Sequence, residues 1–384
     1  MPRLTDELEA LASRFHAPVR REVRRLMRSS PRVADLASVF PGAVHALAAR
    51  RGPPAARLRA LSLIEQGEPM KSVARTLDLP LWLRRLPPEA FRGTLGTVPG
   101  SEAFSRRIAN RIPVNATETA FWLATLVFAI RAADEDFAIW LAEQPIYAEA
   151  GNPEVLFPVL AAYAWFSRAA STAAHRLIVV PWRPEIAIDT ALCAAKSWLN
   201  RIRLVIQLRD DTISETWLAP GSAQGFDIIA LTTSAEILKE AQAMHNCVDQ
   251  YIDRLTRDRC RLFSIRRDGT RMATMEIGPH PRETGVLSIM QLKARHNMPA
   301  SLDVWQAAHS WLAQQPGLKR LPAMMVPPAP MNGATWNDLM QPYRDAAAGA
   351  PWLPSRDLEQ SLAALDVQLA DLARRGGVSS WLFT

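Results

Sequence analysis

The chain has 384 residues, which is too long for one ordinary core and favours at least two domains. Hydrophobic residues make up 48% of it and charged residues 22%, the balance of a soluble globular protein. The net charge of +7 is uneven, because residues 1–112 hold 20 Lys and Arg against 10 Asp and Glu. This basic region predicts DNA, RNA or another acidic partner, or alternatively a solvated helix surface.

Cysteine content and apolar runs indicate the compartment. Cys193, Cys247 and Cys260 form no CxxC pair, and a sparse odd count argues against a disulfide framework. The longest apolar run, AFWLATLVFAI (120–130), is far shorter than the ~20 residues that span a bilayer. The opening MPRLTDELEA has early acids and lacks the apolar stretch of a signal peptide. We therefore expect a cytoplasmic protein with no membrane partner.

Residues 1–175 are predicted to be helical throughout, because apolar residues recur at spacings of three and four. The stretch NATETAFWLATLVFAIRAADEDFAIWLAEQ (115–144) predicts two helices with acids between them. In the segment 67–91, a short apolar face precedes the turn-like LDLP, which suggests either a DNA-binding helix-turn-helix or two core helices. Trp82 and Leu83 occupy the positions where base-contacting polar residues are expected, and this favours core helices.

After residue 176 the pattern becomes more extended. Strands or extended segments are predicted for RLIVVPW (176–182), RLVIQLRDD (203–211), TISETWLAPG (212–221) and GFDIIALTT (225–233), with APGSAQG as a turn. A helix is predicted for IAIDTALCAAKSWLNRI (186–202). A second helix begins after Ser234, which is a suitable N-cap, although Ile237 at the N3 position prevents a capping box.

The clearest local signal is a β-hairpin, in which two β-rich runs flank Asp268-Gly269 and predict a type I′ turn. Counting outward from this turn gives the pairs Arg267–Thr270, Arg266–Arg271, Ser264–Ala273, Phe263–Thr274 and Arg261–Glu276. The last pair joins opposite charges, whereas the facing Arg266 and Arg271 require an anionic neighbour.

The fold class that follows is α+β: a mostly helical N-terminal domain precedes a smaller domain in which an antiparallel sheet packs on helices. The sheet consists of the hairpin 260–277 and a strand at 285–294, and a helix follows at 301–315. The predicted divisions are an all-helical region (1–175), an α+β domain (176–315), and a proline-rich connector with a C-terminal helical segment near 356–375 (316–384).

The segment AQAMHNCVDQY (241–251) carries the first candidate site residues. If residues 237–255 are one helix, an apolar stripe runs along it, with His245 on one flank and Cys247 on the other. Two residues turn through roughly 200° in a helix, so His245 and Cys247 do not form a nucleophile–base pair. A reactive Cys247 then needs a base from elsewhere, such as His296, with Tyr251 nearby; the alternative is a small buried helix residue.

A second polar cluster stands where the strand 285–294 ends, in IMQLKARHNMPAS. Together with Arg266 and Arg271, these residues suggest a pocket for phosphate, carboxylate or a nucleic-acid backbone, or alternatively an exposed polar loop. The cluster residues are Gln291, Lys293, Arg295, His296 and Asn297. No histidine or cysteine pair has the tight spacing of zinc sites, so no metal or other cofactor is expected.

These segments resemble the PcfJ-like proteins, a family named for a component encoded on conjugative plasmids. The resemblance rests on an ordered set of motifs over roughly 225–315. The matching positions are Cys247, Val248 and Tyr251, then Phe263, Ile265 and Arg266, then Glu276, and finally Gln291, Lys293 and Asn297. Two positions depart from the pattern: Asn246 replaces a histidine found in many members, and Ala294 replaces a frequent glycine. The resemblance implies a mobile-element or plasmid origin and carries no established reaction.

Three functions remain open at this stage. The first is an accessory protein acting on or with nucleic acid. The second is an enzyme with a site centred on Cys247, supported by Tyr251, Gln291 and Asn297, which requires an exposed thiol with a lowered pKa. The third is a structural or protein-binding module, in which Asn246, Gln291 and Asn297 satisfy one another in a closed core.

Overall fold

The computed structural model describes residues 2–144, 151–208, 213, 215–319 and 330–378. Within its described part, the region up to residue 168 is helical, as the spacing of apolar residues predicts. Its helices are α1 (Pro2–Ser13), α2 (Arg20–Ser29), α3 (Pro31–Val39), α4 (Pro41–Ala48), α5 (Pro54–Gln66), α6 (Met70–Thr76), α7 (Glu102–Arg107), α8 (Ala116–Ala132), α9 (Glu135–Ala142), α10 (Pro153–Leu156) and α11 (Pro158–Arg168).

Proline and side-chain caps define where these helices begin. Pro31, Pro41 and Pro54 occupy the first turns of α3, α4 and α5, where the fixed φ of proline fits and its missing N–H is not needed. The side chain of Asp134 accepts a hydrogen bond from the Phe137 N–H at 3.0 Å and caps α9. The predicted division of 115–144 into two helices is therefore confirmed.

The later helices are α12 (Ile188–Leu208), α13 (Ser234–Met244), α14 (Ile252–Thr256), α15 (Leu302–Ala313), α16 (Gly333–Ala346) and α17 (Leu358–Arg375). Helices α16 and α17 pack into the same apolar core as the N-terminal helices. The Tyr343 hydroxyl donates a hydrogen bond to the Ala132 carbonyl at 2.8 Å, and Lys196 pairs with Asp366 at 2.6 Å. Most of the proline-rich connector, residues 320–329, lies outside the described residues.

The sheet is antiparallel and its strands are ordered as they occur in the chain. They are β1 (Gly221–Ala223), β2 (Phe226–Leu231), β3 (Arg261–Arg267), β4 (Thr270–Pro279) and β5 (Leu287–Lys293). The predicted hairpin and third strand are β3, β4 and β5, so the α+β fold class is confirmed. The segment APGSAQG, expected to be only a turn, also contains β1.

The register of the β3–β4 hairpin differs from the prediction beyond its first two pairs. Asp268 and Gly269 both have positive φ, as a type I′ turn requires. A bulge after Arg266–Arg271 leaves Met272 without a partner, so Ile265 pairs with Ala273. The predicted pair Arg261–Glu276 is therefore wrong. Counting from the turn alone cannot anticipate a bulge, and one extra residue shifts every later pair.

The two faces of the sheet are covered by different helices. On one face, Phe263, Ile265, Met275 and Leu292 form an apolar core with α15. The opposite face packs against α13, α14 and the C-terminal half of α12. Because side chains alternate across a strand, Thr274 and Glu276 point to this second face together with their cross-strand partners on β5.

Two predicted extended segments are wrong. In 176–182, a 3-10 turn at His175–Leu177 is followed by irregular chain that exposes Val179 and Val180. The segment 203–211 belongs to α12 as far as Leu208. Ile206 packs into the N-terminal core, whereas Leu204 and Leu208 pack under the sheet. A helix buried on two sides has an apolar run that resembles a buried strand.

The segment 67–91 is part of the helical core and forms no recognition helix. After α6 the chain makes two 3-10 turns, Leu81–Arg85 and Pro88–Ala90, and Trp82 and Leu83 in the first of them are buried. A recognition helix must present polar side chains to the major groove. The core-helix interpretation is therefore the correct one.

Across the helices that the structure describes, we find none long and apolar enough to traverse a bilayer.

Candidate functional site

The predicted helix over 237–255 is interrupted at His245, and this break shapes the site. Helix α13 begins after a capping box between Thr233 and Glu236, one residue before the predicted cap at Ser234. It ends at Met244, because His245 takes a left-handed φ of 49°. The side chain of Asn246 then accepts a hydrogen bond from the Val248 N–H at 3.4 Å. Such an asparagine turn competes with helix continuation.

The apolar stripe of this segment nevertheless stays buried. Ile237, Ala241, Val248, Ile252 and Leu255 contribute to one core beneath the sheet. The stripe therefore predicts burial correctly, because a 3-10 turn and the short helix α14 preserve spacings close to those of a longer helix. The directions of His245 and Cys247, which were derived from a continuous helix, do not hold.

A fully buried carboxylate, Glu240, lies between α13 and β4. It accepts hydrogen bonds from Arg271 Nε at 2.7 Å and from the Thr274 hydroxyl at 2.9 Å. A buried carboxylate is stable only when it is paired in this way. Glu240 is thus the anionic neighbour that the facing pair of Arg266 and Arg271 requires, and it engages Arg271.

Asn246 is tied into the same network. Its side-chain N–H donates to Thr274 Oγ1 at 2.9 Å, which links the His245 break to strand β4. It thus bonds Thr274, and the closed cluster of Asn246, Gln291 and Asn297 predicted for a structural module is not the arrangement observed. A side chain that fixes the backbone next to Cys247 controls where the thiol lies.

A second buried carboxylate, Glu276, lies on β4 two residues after Thr274. One of its oxygens accepts a hydrogen bond from Arg254. Its other oxygen, Oε2, is buried and has no hydrogen-bond partner within the ranges that the structure describes. Buried polar atoms without partners are rare in folded proteins and frequently mark functional positions. Glu276 also belongs to the motif pattern identified in the sequence.

Tyr251 lies beside Glu276 and Cys247. The Arg254 guanidinium stacks 5.1 Å from the centre of the Tyr251 ring. Burial, together with the charges of Glu276 and Cys247, raises the pKa of Tyr251 to about 12. The phenol is therefore neutral at physiological pH, so it offers both a hydrogen-bond donor and an acceptor.

The loop after β5 meets the His245 break directly. His245 and His296 stack with ring centres 4.7 Å apart and planes within 11°. His296 and Asn297 both have left-handed φ values, 59° and 58°. The side chain of Asn297 lies close enough to the Cys247 sulfur to lower the pKa of the thiol. The structure therefore brings the Cys247 segment and the end of β5 together, as the sequence suggests.

The thiol of Cys247 is not activated. Although the residue as a whole is exposed, partial burial of the sulfur raises its pKa, and the charge of Asp249 adds to this rise. The side chain of Asn297 acts in the opposite direction and is outweighed. The lowered pKa expected for a nucleophilic cysteine is therefore wrong, because burial and the Asp249 carboxylate both disfavour the thiolate.

The remaining predicted site residues occupy different settings. Arg266 donates from Nε to the Ser264 hydroxyl at 3.0 Å. Gln291 pairs with Glu276 across the strands and Lys293 pairs with Thr274. Gln291 and Arg295 are exposed. The departure at Ala294 has no backbone cost, since its φ of −76° suits any residue.

Four functional contributors were missed in the sequence. They are Glu240, Thr274 and Arg254, which join the segment around Cys247 to the sheet, and Asp249, which joins it to Arg201 on helix α12. Glu240 had a detectable signal, because it falls three residues after Ile237 within the apolar stripe, where a charge needs a buried partner. Asp249 and Arg254 had no such signal in the sequence, since their partners are distant in sequence.

In the parts of the chain that the structure describes, no group of three or more His, Cys, Asp and Glu residues is arranged to hold a metal ion.

Comparison with known proteins gives one match, in the region that carries this site. No curated protein and no solved structure matches the chain. The family model described as PcfJ-like protein matches residues 220–304, from the start of the sheet to the first turn of α15. The match contains Cys247, Tyr251, Glu276, Gln291 and Asn297, the residues on which the resemblance rests. Residues 220–304 of this chain are therefore similar to the PcfJ-like proteins.

Proposed function

We propose that this protein acts with nucleic acid, as an accessory protein of mobile-element or plasmid origin, and that it binds the phosphate backbone through its N-terminal helices. The observation that carries the proposal is a groove of about 1040 Å³ lined by five arginines. The arginine groove, as we call it, consists of Arg21, Arg24, Arg25, Arg28 and Arg50. The PcfJ-like match at residues 220–304 supports the mobile-element origin.

The charge of the arginine groove is only partly neutralised. Glu9 lies 2.7 Å from both Arg24 and Arg28, and Glu22 pairs with Arg25 at 2.6 Å. Two glutamates against five arginines leave an excess of three positive charges in one concave surface. Concave surfaces of one sign concentrate counter-ions of the other.

The arrangement of these arginines also suits phosphate. Four of them follow one another along α2 at spacings of one, three and four residues, which places them on adjoining positions of one helix surface. Guanidinium groups bind phosphate oxygens in bidentate fashion and remain charged at any physiological pH. We infer backbone contacts without sequence selectivity, because the groove offers guanidinium cations, and contacts to phosphate carry no direct sequence information.

The test is the salt dependence of binding to labelled single- and double-stranded DNA, measured by fluorescence anisotropy. If three phosphates are neutralised, affinity falls by about 40-fold between about 50 and 200 mM salt. The triple variant Arg21→Ala, Arg25→Ala, Arg28→Ala should lose most of this dependence and bind weakly even at low salt.

A matched control separates the groove from general positive charge. The triple variant Arg282→Ala, Arg356→Ala, Arg374→Ala removes the same charge from surfaces outside the groove and should retain the wild-type salt slope. No binding by the wild type at low salt, or equal losses in both triple variants, would overturn the proposal.

A second candidate function is an enzyme or small-ligand site at Cys247. It is favoured by the convergence of the motif residues Cys247, Tyr251, Glu276 and Asn297, and by the unpaired oxygen of Glu276. The raised pKa of Cys247 argues against an enzyme that uses this cysteine as a thiolate at neutral pH. Glu276 and the neutral Tyr251 phenol are the better candidates for contacting a polar ligand.

Alkylation by iodoacetamide distinguishes an activated from an ordinary cysteine at position 247. We expect Cys247 to react slowly at pH 7 and its rate to keep rising above pH 9, because only the thiolate reacts and its pKa is raised. Cys260 is the internal control; it is buried, its pKa is raised to about 12, and it should react only on unfolding. A Cys247 rate that reaches its plateau below pH 8 would restore the nucleophile hypothesis.

A further inference from the structure

A separate cleft lies within the N-terminal helices, away from the PcfJ-like region. It has a volume of about 270 Å³ and is bordered by α4, α8 and the chain around residues 90–95 and 151–154. Its walls are mostly apolar and include Phe91, Leu95, Phe121, Val127 and Phe128. Clefts with apolar walls and a few polar groups are the usual form of small-molecule sites.

His45 is the polar residue that borders this cleft from α4, within the core. It lies on α4, all of whose residues are buried, and its own side chain has no exposed surface. Its ring stacks on Phe91, with ring centres 5.5 Å apart. Neither ring nitrogen has a hydrogen-bond partner among the residues that the structure describes. An imidazole buried without partners costs folding free energy, so it calls for a hydrogen-bonding group inside the cleft.

The charge state of His45 limits what it can bind. Burial and the neighbouring charge of His16 lower its pKa to about 4, so the imidazole is neutral at physiological pH. A neutral imidazole offers one N–H donor and one nitrogen acceptor. Its natural partner is therefore a neutral group that donates or accepts, such as a hydroxyl or an amide.

The only arginine of α8 at this cleft is already paired. Arg131 forms an ion pair with Glu154, which also borders the cleft, and it stacks 4.9 Å from the ring centre of Trp352. An anionic ligand would have to compete with Glu154 for Arg131. Arg92, the other arginine at the cleft, is exposed, so water weakens its attraction for an anion. The polar recognition that the cleft offers therefore depends mainly on a hydrogen bond to His45.

We propose that this cleft binds a small uncharged molecule, aromatic or alicyclic, whose hydroxyl or amide group hydrogen-bonds the buried imidazole of His45. A cavity of roughly 150 Å³ accommodates benzene, so a volume of about 270 Å³ suits one or two fused rings. The side chains of Phe91, Phe121 and Phe128 border the cleft and supply apolar contacts for such a ring. This site is independent of the arginine groove and of Cys247.

Ligand-observed NMR titrations with phenol and with toluene test the site, because the two probes differ mainly in the hydroxyl group. Phenol should bind the wild-type protein with a low-millimolar Kd. In His45→Phe, which retains the aromatic ring, the affinity of phenol relative to toluene should fall at least about tenfold, the loss expected of one buried hydrogen bond.

A second variant keeps the test valid if His45→Phe folds poorly. Ala124 borders the cleft but is exposed, so Ala124→Trp blocks the space without disturbing the core and should abolish binding of both probes. Absence of phenol binding to the wild type would show that the cleft holds only water. That result, an unchanged phenol-to-toluene ratio in His45→Phe, or undiminished binding to Ala124→Trp would each overturn the proposal.

Discussion

Replacing Arg271 by Met is expected to lower the opening free energy of the β3–β4 hairpin by about 3 kcal/mol. The change leaves Glu240, which has no exposed surface, without the guanidinium that pairs with it at 2.7 Å. The remaining bond from the Thr274 hydroxyl cannot neutralise a buried charge. Native-state hydrogen exchange of the β3 and β4 amides measures the effect on this part of the protein alone, which avoids assuming two-state unfolding.

Arg267 provides the matched control, since it lies in the same hairpin and pairs with Asp303 at the surface. Both of these side chains are well exposed, and surface pairs contribute roughly 0–1 kcal/mol. Arg267→Met should therefore change hairpin stability little. Equal protection losses in the Arg271 and Arg267 variants would show that Glu240 does not depend on Arg271, and the buried network would then have no special role.

The hairpin shows how far local sequence signals reach. The turn type and the first two pairs follow from Asp268-Gly269, because that turn fixes its own geometry. The bulge at Met272 is a feature of the pairing of β3 with β4 in the folded sheet, and the turn residues do not determine it. The predicted ion pair of Arg261 with Glu276 failed for this reason, and Glu276 takes its partner from α14 instead.

The residues proposed for the site lie close together, although the backbone around them differs from the predicted helix. Asn297 lies next to the Cys247 sulfur, and His245 stacks on His296. The directions predicted for His245 and Cys247 from one continuous helix were wrong, because His245 and Asn246 end the helix where the apolar spacing alone predicts that it continues. Cap and turn residues act through single hydrogen bonds, and the spacing of apolar residues gives no information about these bonds.

Helix α12 shows a different limit. Its C-terminal half packs toward the N-terminal core through Ile206 and toward the sheet through Leu204 and Leu208. Its apolar run therefore lacks the single stripe of a surface helix. Only the position of α12 between two cores explains the run, and that position is set by distant parts of the chain.

Because of this position, α12 also holds the Cys247 segment in place, through a buried ion pair. Arg201 Nε lies 2.6 Å from Asp249 Oδ2, and Asp249 is 3% exposed. Replacing Arg201 by Met should destabilise the 245–256 segment by about 3 kcal/mol at neutral pH, because it leaves the Asp249 carboxylate buried and unpaired. Alkylation of Cys247 should accelerate in parallel, since the segment that shields its sulfur opens more often.

The pH dependence of this effect has a definite sign. Burial raises the pKa of Asp249 above its ordinary value even with Arg201 present, and loss of the guanidinium raises it further. A carboxyl group with a raised pKa in the folded state stabilises folding while it is protonated, and this contribution disappears as the pH rises through that pKa. The deficit of Arg201→Met should thus be small near pH 4 and should grow toward pH 7.

The double variant Arg201→Met, Asp249→Leu completes the thermodynamic cycle for this pair. Replacing both members of a buried pair by apolar residues is often close to neutral, whereas removing one is costly. Protection of the 245–256 amides should therefore recover in the double variant, and its deficit should no longer depend on pH. If the double variant remains as unstable as Arg201→Met, packing of the Arg201 side chain, and not its charge, holds the Cys247 segment on α12.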